Sequence, residues 1–312
     1  MVRKPKAKTR LAFILLSLAA ASLIVALATC LPKRQDPAVP SAPRAETAPI
    51  PNTPAPRAPD AEGTTLVPER DLLALNIGSP LGPERPDRAG ILAVIIDDAG
   101  YNLSDLQPFL EFPGPLTIAV LPNLPHSAET AERVRAAGKG LLLHCPMEPI
   151  NGDENPGPGV LRTDQSDAEI ERLLISAFAS VAGAEGLNNH MGSKATADVR
   201  LMSVVFSFLK REGKYFVDSR TTPDSVAEAV AARFGVPFLR RDGFIDNNRD
   251  EESLKKTIEA GASTARSQGK AILIGHIHTP EILAILRQNI PGSQIRLAGL
   301  SEILPGGKEP LE

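Results

Sequence analysis

Short runs of apolar residues recur along the chain after Gly90, and most of them end in polar residues. Their continuity is typical of strands that are buried on both faces, as in parallel sheets. Seven runs predict strands, at Ile91–Asp97, Leu116–Pro122, Gly140–Pro146, Gly186–Gly192, Lys214–Arg220, Val236–Arg240 and Lys270–His278. A further run near Ile295, QIRLAGL, is an eighth candidate.

Amphipathic segments lie between these runs, and several begin with the serine, aspartate or threonine that commonly caps a helix N-terminus. They predict helices at Ser127–Ala137, Asp167–Val181, Thr196 or Asp198 to Lys210, Asp224–Phe234, Glu251–Ser267 and Pro280–Gln288. Strands that alternate with helices form parallel sheets covered by helices. The number of units favours a barrel over an open sheet, so we predict an α/β fold, a distorted or incomplete (β/α) barrel with about seven parallel strands.

The first 88 residues differ in composition from this part of the chain. Basic residues dominate positions 1–10, an apolar run covers 11–31, and residues 32–88 are rich in proline and alanine. An apolar stretch of about 20 residues can span a bilayer, and its basic flank stays in the cytoplasm. A segment rich in proline and charge cannot bury enough apolar surface to fold alone. We therefore predict a cytoplasmic basic tail (1–10), a transmembrane signal anchor (11–31), a disordered tether (32–88) and a folded domain (89–312).

This organisation predicts a single-pass protein of the bacterial cytoplasmic membrane, with its domain on the periplasmic or extracytoplasmic side. Two alternatives stay open, a cleaved signal peptide and lipid attachment at Cys30, although the apolar run is long for either signal. The second cysteine, Cys145, lies within the predicted domain, and we expect no disulfide between the two.

The charge and aromatic content of the chain narrow the classes of partner. With 34 basic and 37 acidic residues, its formal net charge of −3 argues against nucleic acid. It has no tryptophan and only two tyrosines, so a sugar ring would have to stack on Tyr101, Tyr215 or a phenylalanine. No glycine-rich phosphate-binding motif follows a predicted strand, which disfavours a nucleotide-binding fold.

Polar side chains gather at the C-terminal ends of the predicted strands, where parallel α/β folds place their active sites. Four of the five histidines are among them, and the candidates are Asp97, Asp98, His144, Glu148, Asn188, Asn189, His190, Asp218, Arg220, Asp246, His276 and His278. Taken singly, such residues are commonly helix caps, turn formers or buried core histidines. Their concentration at one edge favours a divalent-metal site, since aspartate and histidine suit zinc and also accept other divalent ions.

Two adjacent aspartates would have different roles at such a site. Three protein ligands leave an open position for a water molecule whose pKa the metal lowers. A further carboxylate can then act as the general base. Successive residues of a strand point in different directions, so Asp97 and Asp98 are not expected to be equivalent. Cys145 is a weaker candidate ligand, because thiolates also bind zinc.

Six segments taken in order, IIDDAGYN, LTIAVLPN, LLLHCPMEP, NNHMGS, DSRTT and IGHIHT, resemble the motifs of the divergent polysaccharide deacetylase family. The resemblance covers Ala89–Ile303 and implies a polysaccharide deacetylase-like domain. Related carbohydrate esterases have a distorted (β/α) barrel and a divalent metal ion, usually zinc. By this resemblance, Asp97 is the general base, Asp98 a metal ligand and His276 the general acid.

The chain departs from the relatives at their second motif, in which two histidines four residues apart bind the metal. His144 matches the first histidine, Glu148 occupies the place of the second, and His190 is expected to supply the missing imidazole. Arg220 would position the base. The remaining candidates are expected to support the site, namely Glu148, Asn189, Asp218, Asp246 and His278.

The resemblance implies a metal-dependent deacetylase that acts on an N-acetylated cell-envelope polysaccharide or peptidoglycan fragment. Two alternatives stay open. One is a catalytically silent, membrane-tethered glycan-binding protein. The other is a different metal-dependent hydrolase, such as a phosphoesterase, which would need more basic side chains than Lys194 and Arg220 to bind phosphate.

Overall fold

A computed structural model describes residues 89–305, so the predicted tail, anchor and tether lie outside the described residues. One curled sheet contains nine strands, β1 (Gly90–Ala99), β2 (Thr117–Val120), β3 (Gly140–Met147), β4 (Gly186–Met191), β5 (Tyr215–Asp218), β6 (Phe238–Arg240), β7 (Gly243–Phe244), β8 (Lys270–His276) and β9 (Ile295–Leu297). Eight of them follow the order β6-β5-β4-β3-β2-β1-β8-β7, and β9 pairs with the first residues of β1. Every one of these pairings is parallel.

Helices connect most of the strands, as the amphipathic pattern predicts. They are α1 (Gln107–Leu110), α2 (Ser127–Ala136), α3 (Asp167–Ser180), α4 (Val199–Arg211), α5 (Ala227–Phe234), α6 (Glu251–Gln268), α7 (Glu281–Asn289) and α8 (Leu300–Ile303). The side chains of Ser166, Asp198 and Asp250 cap α3, α4 and α6. Ser127 does not cap α2, because its hydroxyl donates to the Leu121 carbonyl oxygen. Between residues 89 and 305, no helix combines the length and apolarity needed to cross a membrane.

Alternate residues of the central strands pack into two separate apolar clusters, which explains why the strand sequences are continuously apolar. Leu92 and Ile96 belong to the cluster that includes the surrounding helices. Ala93 and Ile95 belong to the cluster on the opposite face, which also contains Leu300 of α8. Because both faces are buried, a strand of this sheet needs apolar residues at every position until it reaches the C-terminal edge.

The predicted distorted (β/α) barrel is confirmed, and its distortion lies between β6 and β7. Within the described residues, these two end strands do not pair with each other. The chain passes between them through Arg241 and Asp242 alone. The Arg241 amide donates to Asp218 at the end of β5 (3.0 Å), and the Asp242 amide donates to Ile272 of β8 (2.8 Å). Two residues therefore link the two ends of the sheet without a helix.

Candidate metal centre

Strand register brings the predicted site residues to one edge of the sheet. Asp97 of β1 pairs with His276 of β8. His144 of β3 pairs with Asn188 of β4, and two residues later Pro146 pairs with His190. Because all these strands are parallel, their C-terminal ends meet at the same edge.

A β-bulge at Asp97 and Asp98 brings both carboxylates close to His144. Between Ile96 and Ala99, β1 uses three steps where its partner β2 uses two. Asp98 has a φ of 66°, a left-handed conformation that aspartate tolerates better than most residues. Simple alternation along a strand would send two successive side chains to opposite faces, whereas a bulge re-aims one of them. As a result, Asp97 Oδ2 lies 3.6 Å and Asp98 Oδ1 3.2 Å from His144 Nε2.

Asp98, His144 and His190 form a compact set of three ligand atoms. His190 Nδ1 lies 3.0 Å from His144 Nε2, and each of these nitrogens lies 3.2 Å from Asp98 Oδ1. Ligand atoms bound tetrahedrally to zinc at about 2.0–2.1 Å are separated from one another by about 3.3 Å. The spacing of the three atoms therefore fits one shared divalent ion.

The electrostatics of these groups also fit a cation. Asp98 Oδ1 is buried, and no donor among residues 89–305 is aligned to form a hydrogen bond with it. Burial raises the pKa of Asp98, but the adjacent rings of His144 and His190 hold it well below its usual range. Burial lowers the pKa of His144, but the charges of Asp97 and Asp98 raise it to about 9. Two carboxylates thus favour a positive charge here, which a proton on His144 or a bound divalent ion would supply.

Asn188 orients both the base candidate and a ligand. Its side-chain amide nitrogen donates to Asp97 Oδ1 (2.8 Å), so its oxygen is left to accept from His144 Nδ1 (2.9 Å). A proton held on Nδ1 leaves the lone pair of His144 Nε2 free to bind a metal ion. Asn188 is fully buried, and the sequence assigned it no individual role.

We expect Asn188→Ala to lower the affinity for zinc by about 10–100-fold, because partners that orient a ligand have effects of this size. A chelator competition titration measures the change. Asn289→Ala is the matched control, because the Asn289 side chain, at the end of α7, donates to the Ile285 carbonyl oxygen and makes no other hydrogen bond within residues 89–305. Unchanged zinc affinity in Asn188→Ala would show that Asn188 does not orient His144.

His276, at the end of β8, is held by Asp246. Its Nδ1 lies 2.9 Å from Asp246 Oδ1, and its backbone amide donates to Asp246 Oδ2 (3.0 Å). Thr279 donates a further hydrogen bond to Asp246 Oδ2 (2.8 Å). Burial lowers the pKa of His276, but the hydrogen bond and charge of Asp246 raise it above its usual value. Burial raises the pKa of Asp246, but the hydrogen bond and charge of His276 outweigh this effect, so the pKa lies below its usual value.

This pair makes folding stability depend on pH. The contribution of His276, whose pKa is raised, is complete below its ordinary value of 6.5 and is lost as pH rises through the raised value. The contribution of Asp246, whose pKa is lowered, is present above 3.8 and is lost as pH falls through the lowered value. Both contributions are therefore present between these two ordinary values.

We expect Asp246→Asn to destabilise the fold by about 1 kcal/mol more near pH 5.5 than near pH 9. The expected difference is small because His276 is partly exposed, and solvent weakens its interaction with Asp246. Urea unfolding at the two pH values measures the difference. Asp242→Asn is the control, since Asp242 accepts a hydrogen bond from the Ile272 amide and has no histidine partner in the described part of the chain. If Asp246→Asn lowered the free energy of unfolding equally at both pH values, Asp246 and His276 would not form a charged pair.

The sequence and the fold have counterparts among known proteins. A family model for divergent polysaccharide deacetylases matches residues 94–304. The chain belongs to the divergent polysaccharide deacetylase family. The uncharacterized protein YibQ of Escherichia coli K12 is 36% identical over 222 residues, which cover 70% of this chain and 69% of YibQ. An uncharacterized protein of Haemophilus influenzae Rd is 33% identical over 215 residues, which cover 68% of this chain and 76% of that protein.

A solved structure shares the fold of this family member. The uncharacterized protein ATU2773 of Agrobacterium tumefaciens C58 has a TM-score of 0.66, with 71% of this chain and 92% of that chain covered. The two sequences are 20% identical, so the likeness concerns the fold alone.

Glu148 lies near the ligands in sequence but its carboxylate is bonded elsewhere. Glu148 Oε2 accepts hydrogen bonds from the amide and hydroxyl of Thr163, both at 2.7 Å. Glu148 Oε1 accepts from Lys194 Nζ at 2.9 Å. These contacts lower the pKa of Glu148 against the opposing effect of burial. Glu148 therefore fastens the loop after β3 to the segment after β4.

The other predicted supporting residues hold the loops around the site. Asn189 accepts from the Ser219 amide (2.9 Å) and donates to the Met191 carbonyl oxygen (2.7 Å). Asp218 accepts from the Arg220 amide and from the Ser225 hydroxyl, both at 2.7 Å.

Among the described residues, the group of three candidate ligands includes neither His278 nor Cys145. His278 Nδ1 faces Asp105 Oδ2 at 3.5 Å and is 43% exposed. Cys145 is buried in the helix-side cluster, where burial raises its pKa to about 12.

Arg241 connects the two sides of the site, and the sequence did not predict this role. Arg220, which was predicted to position the base, makes no side-chain hydrogen bond or ion pair within residues 89–305. The Arg241 side chain donates to the carbonyl oxygens of Ser219 (2.7 Å) and Arg220 (3.1 Å). Its guanidinium lies 3.7 Å from the centre of the Phe244 ring, whose other neighbour is the stacked ring of His276. Arg241 thus ties the end of β5 to the residue predicted as the general acid.

Proposed function

We propose that this protein is a metal-dependent deacetylase that hydrolyses the amide of an N-acetylated cell-envelope polysaccharide. The observation that supports this most strongly is the triangle of Asp98, His144 and His190 ligand atoms with Asp97 beside it. These three residues would hold a divalent ion, and we propose zinc because the donor set is two imidazoles and one carboxylate.

A bound divalent ion would supply Lewis-acid polarisation of the acetyl carbonyl and a lowered pKa for water. Asp97 accepts a proton from the water while the oxygen of that water bonds to the acetyl carbon. His276 donates a proton to the nitrogen as the carbon–nitrogen bond breaks. The products are acetate and the amine of the polysaccharide.

Asp97 suits the role of general base. Burial raises its pKa, and the negative charge of Asp98 raises it further, while His144 lowers it. A carboxylate with a raised pKa accepts protons more readily near neutral pH. The hydrogen bond from Asn188 fixes its orientation.

His276 suits the role of general acid. Its raised pKa keeps it protonated at higher pH than an ordinary histidine. Asp246 binds its Nδ1, which leaves the Nε2 proton for donation to a leaving amine. The two proton-transfer groups stand side by side because β1 and β8 are paired in register.

Acetate release tests this function. The purified full-length protein, stripped of metal and then reloaded with zinc, is incubated with acetylated peptidoglycan fragments and with chitooligosaccharides. We expect acetate release that depends on the added zinc. Zinc binding with no acetate from any substrate would favour the alternative of a glycan-binding protein. Release of phosphate from phosphate esters would favour the phosphoesterase, for which Lys194 is poorly placed because it is paired with Glu148.

We also propose that the domain works outside the cytoplasm on a membrane anchor formed by residues 11–31. The basic flank and the length of this apolar run support the proposal. Protease digestion of spheroplasts is the test. We expect the domain to be digested without cell lysis, and full protection would contradict the proposed location.

A further inference from the structure

Tyr101 differs from the other tyrosine and phenylalanine side chains of the described residues, because it is the most exposed of them, at 53%. Tyr215 is buried, and Phe244 lies between Arg241 and His276. Phe178 and Phe238 stack on other phenylalanines. Of the tyrosine and phenylalanine rings between residues 89 and 305, Tyr101 therefore offers the most exposed surface.

Tyr101 lies close to the proposed metal centre. It follows the ligand Asp98 by three residues, and both line one small cleft together with Asp105 and His278. Between them, Gly100 has a φ of 118°, a conformation that side chains rarely adopt.

The segment after Tyr101 is held by several hydrogen bonds. Asn102 Oδ1 accepts from the Asp105 amide (2.9 Å), and Asn102 Nδ2 donates to Asp105 Oδ2 (2.8 Å). His278, beyond the end of β8, faces the same carboxylate. The loop that presents Tyr101 is thus tied both to itself and to the neighbouring strand end. A ring presented in this way loses little conformational entropy when a ligand packs on it.

We propose that Tyr101 is a stacking platform for a pyranose ring of the polysaccharide next to the sugar whose acetyl group is removed. A pyranose presents a face of C–H groups, and the face of an aromatic ring is apolar and carries partial negative charge. The Tyr101 hydroxyl makes no hydrogen bond within the described residues, so the ring is not committed to an internal contact. This inference rests on the proposed function, since it names the substrate contact of the same site.

Tyrosine fluorescence can test the stacking separately from the reaction. The chain has no tryptophan, and its two tyrosines are the exposed Tyr101 and the buried Tyr215. Acrylamide quenching of the full-length protein therefore reports mainly on Tyr101. We expect an N-acetylated chitooligosaccharide to protect the fluorescence from quenching in the wild type. Quenching that is unchanged at saturating oligosaccharide would overturn the proposal.

Kinetics provide the second measurement. We expect Tyr101→Ala to raise KM for the oligosaccharide about 2–12-fold, with little change in kcat, and Tyr101→Phe to stay near the wild type. Ile175→Ala, which shortens another exposed apolar side chain on α3, is the control and should leave KM unchanged. Equal KM values for Tyr101→Ala and the wild type would overturn the proposal.

The two measurements separate this inference from the proposed function. If no substrate releases acetate, the deacetylase assignment fails, while protection from quenching still supports a sugar on Tyr101. If acetate is released but Tyr101→Ala binds and reacts as the wild type does, the deacetylase function is supported and sugar stacking on Tyr101 is rejected.

Discussion

Asp97→Asn should lower kcat for acetate release by about 10²–10⁴-fold while leaving the bound metal in place. Asparagine has nearly the same shape and can still accept the hydrogen bond from Asn188, but it cannot take a proton from water. Because the change also removes a buried charge, the variant should fold at least as stably as the wild type. Steady-state acetate release, metal content by mass spectrometry and thermal unfolding together measure the three outcomes.

Glu185→Gln provides the control for this variant. It makes the same change from carboxylate to amide at an exposed residue just before β4, at the opposite edge of the sheet. Full activity in Asp97→Asn would show that Asp97 is not the base. Loss of the metal together with activity would instead place Asp97 among the ligands.

His190→Ala should weaken zinc binding by more than about 100-fold, because it removes one of the three ligand atoms and not a supporting group. The effect also distinguishes His190 from Glu148, whose carboxylate is bonded to Thr163 and Lys194. Metal content after dialysis and a competition titration measure the change.

His278→Ala is the matched control, since His278 is another histidine past a strand end but faces Asp105. It should keep the metal. If His190→Ala also retained its full metal content, His190 would not be a ligand, and the three-atom site would have to be reassigned.

The sequence predicted the barrel and its functional edge because both depend on local patterns. Continuous apolar runs arise wherever a strand is buried on both faces, and a polar residue then marks the place where burial ends. The grouping of Asp98, His144 and His190 could be anticipated for the same reason. Parallel strands need only a common direction for their ends to meet.

The features that could not be predicted depend on register between distant segments. The link between Asp97 and His144 through Asn188 requires β1, β3 and β4 to be aligned, and one buried asparagine gives no local sign of it. The run Val236–Arg240 predicted β6, but the two residues of β7 are too few for a periodic pattern, so the crossing at Arg241 was missed. Glu148 sits near a ligand in sequence, but its bonds to Thr163 and Lys194 are set by tertiary packing.

The bulge in β1 has a mechanical consequence for the proposed reaction. Asp97 and Asp98 are adjacent residues, so their α-carbons are separated by a single peptide unit of about 3.8 Å. The spacing of these two α-carbons is thus fixed by covalent bonds. His276 lies on a different strand, and its distance from Asp97 changes whenever β1 and β8 move relative to each other. Relative motion of these two strands should therefore disturb the alignment of the two proposed proton-transfer groups while the spacing of the two aspartates is kept.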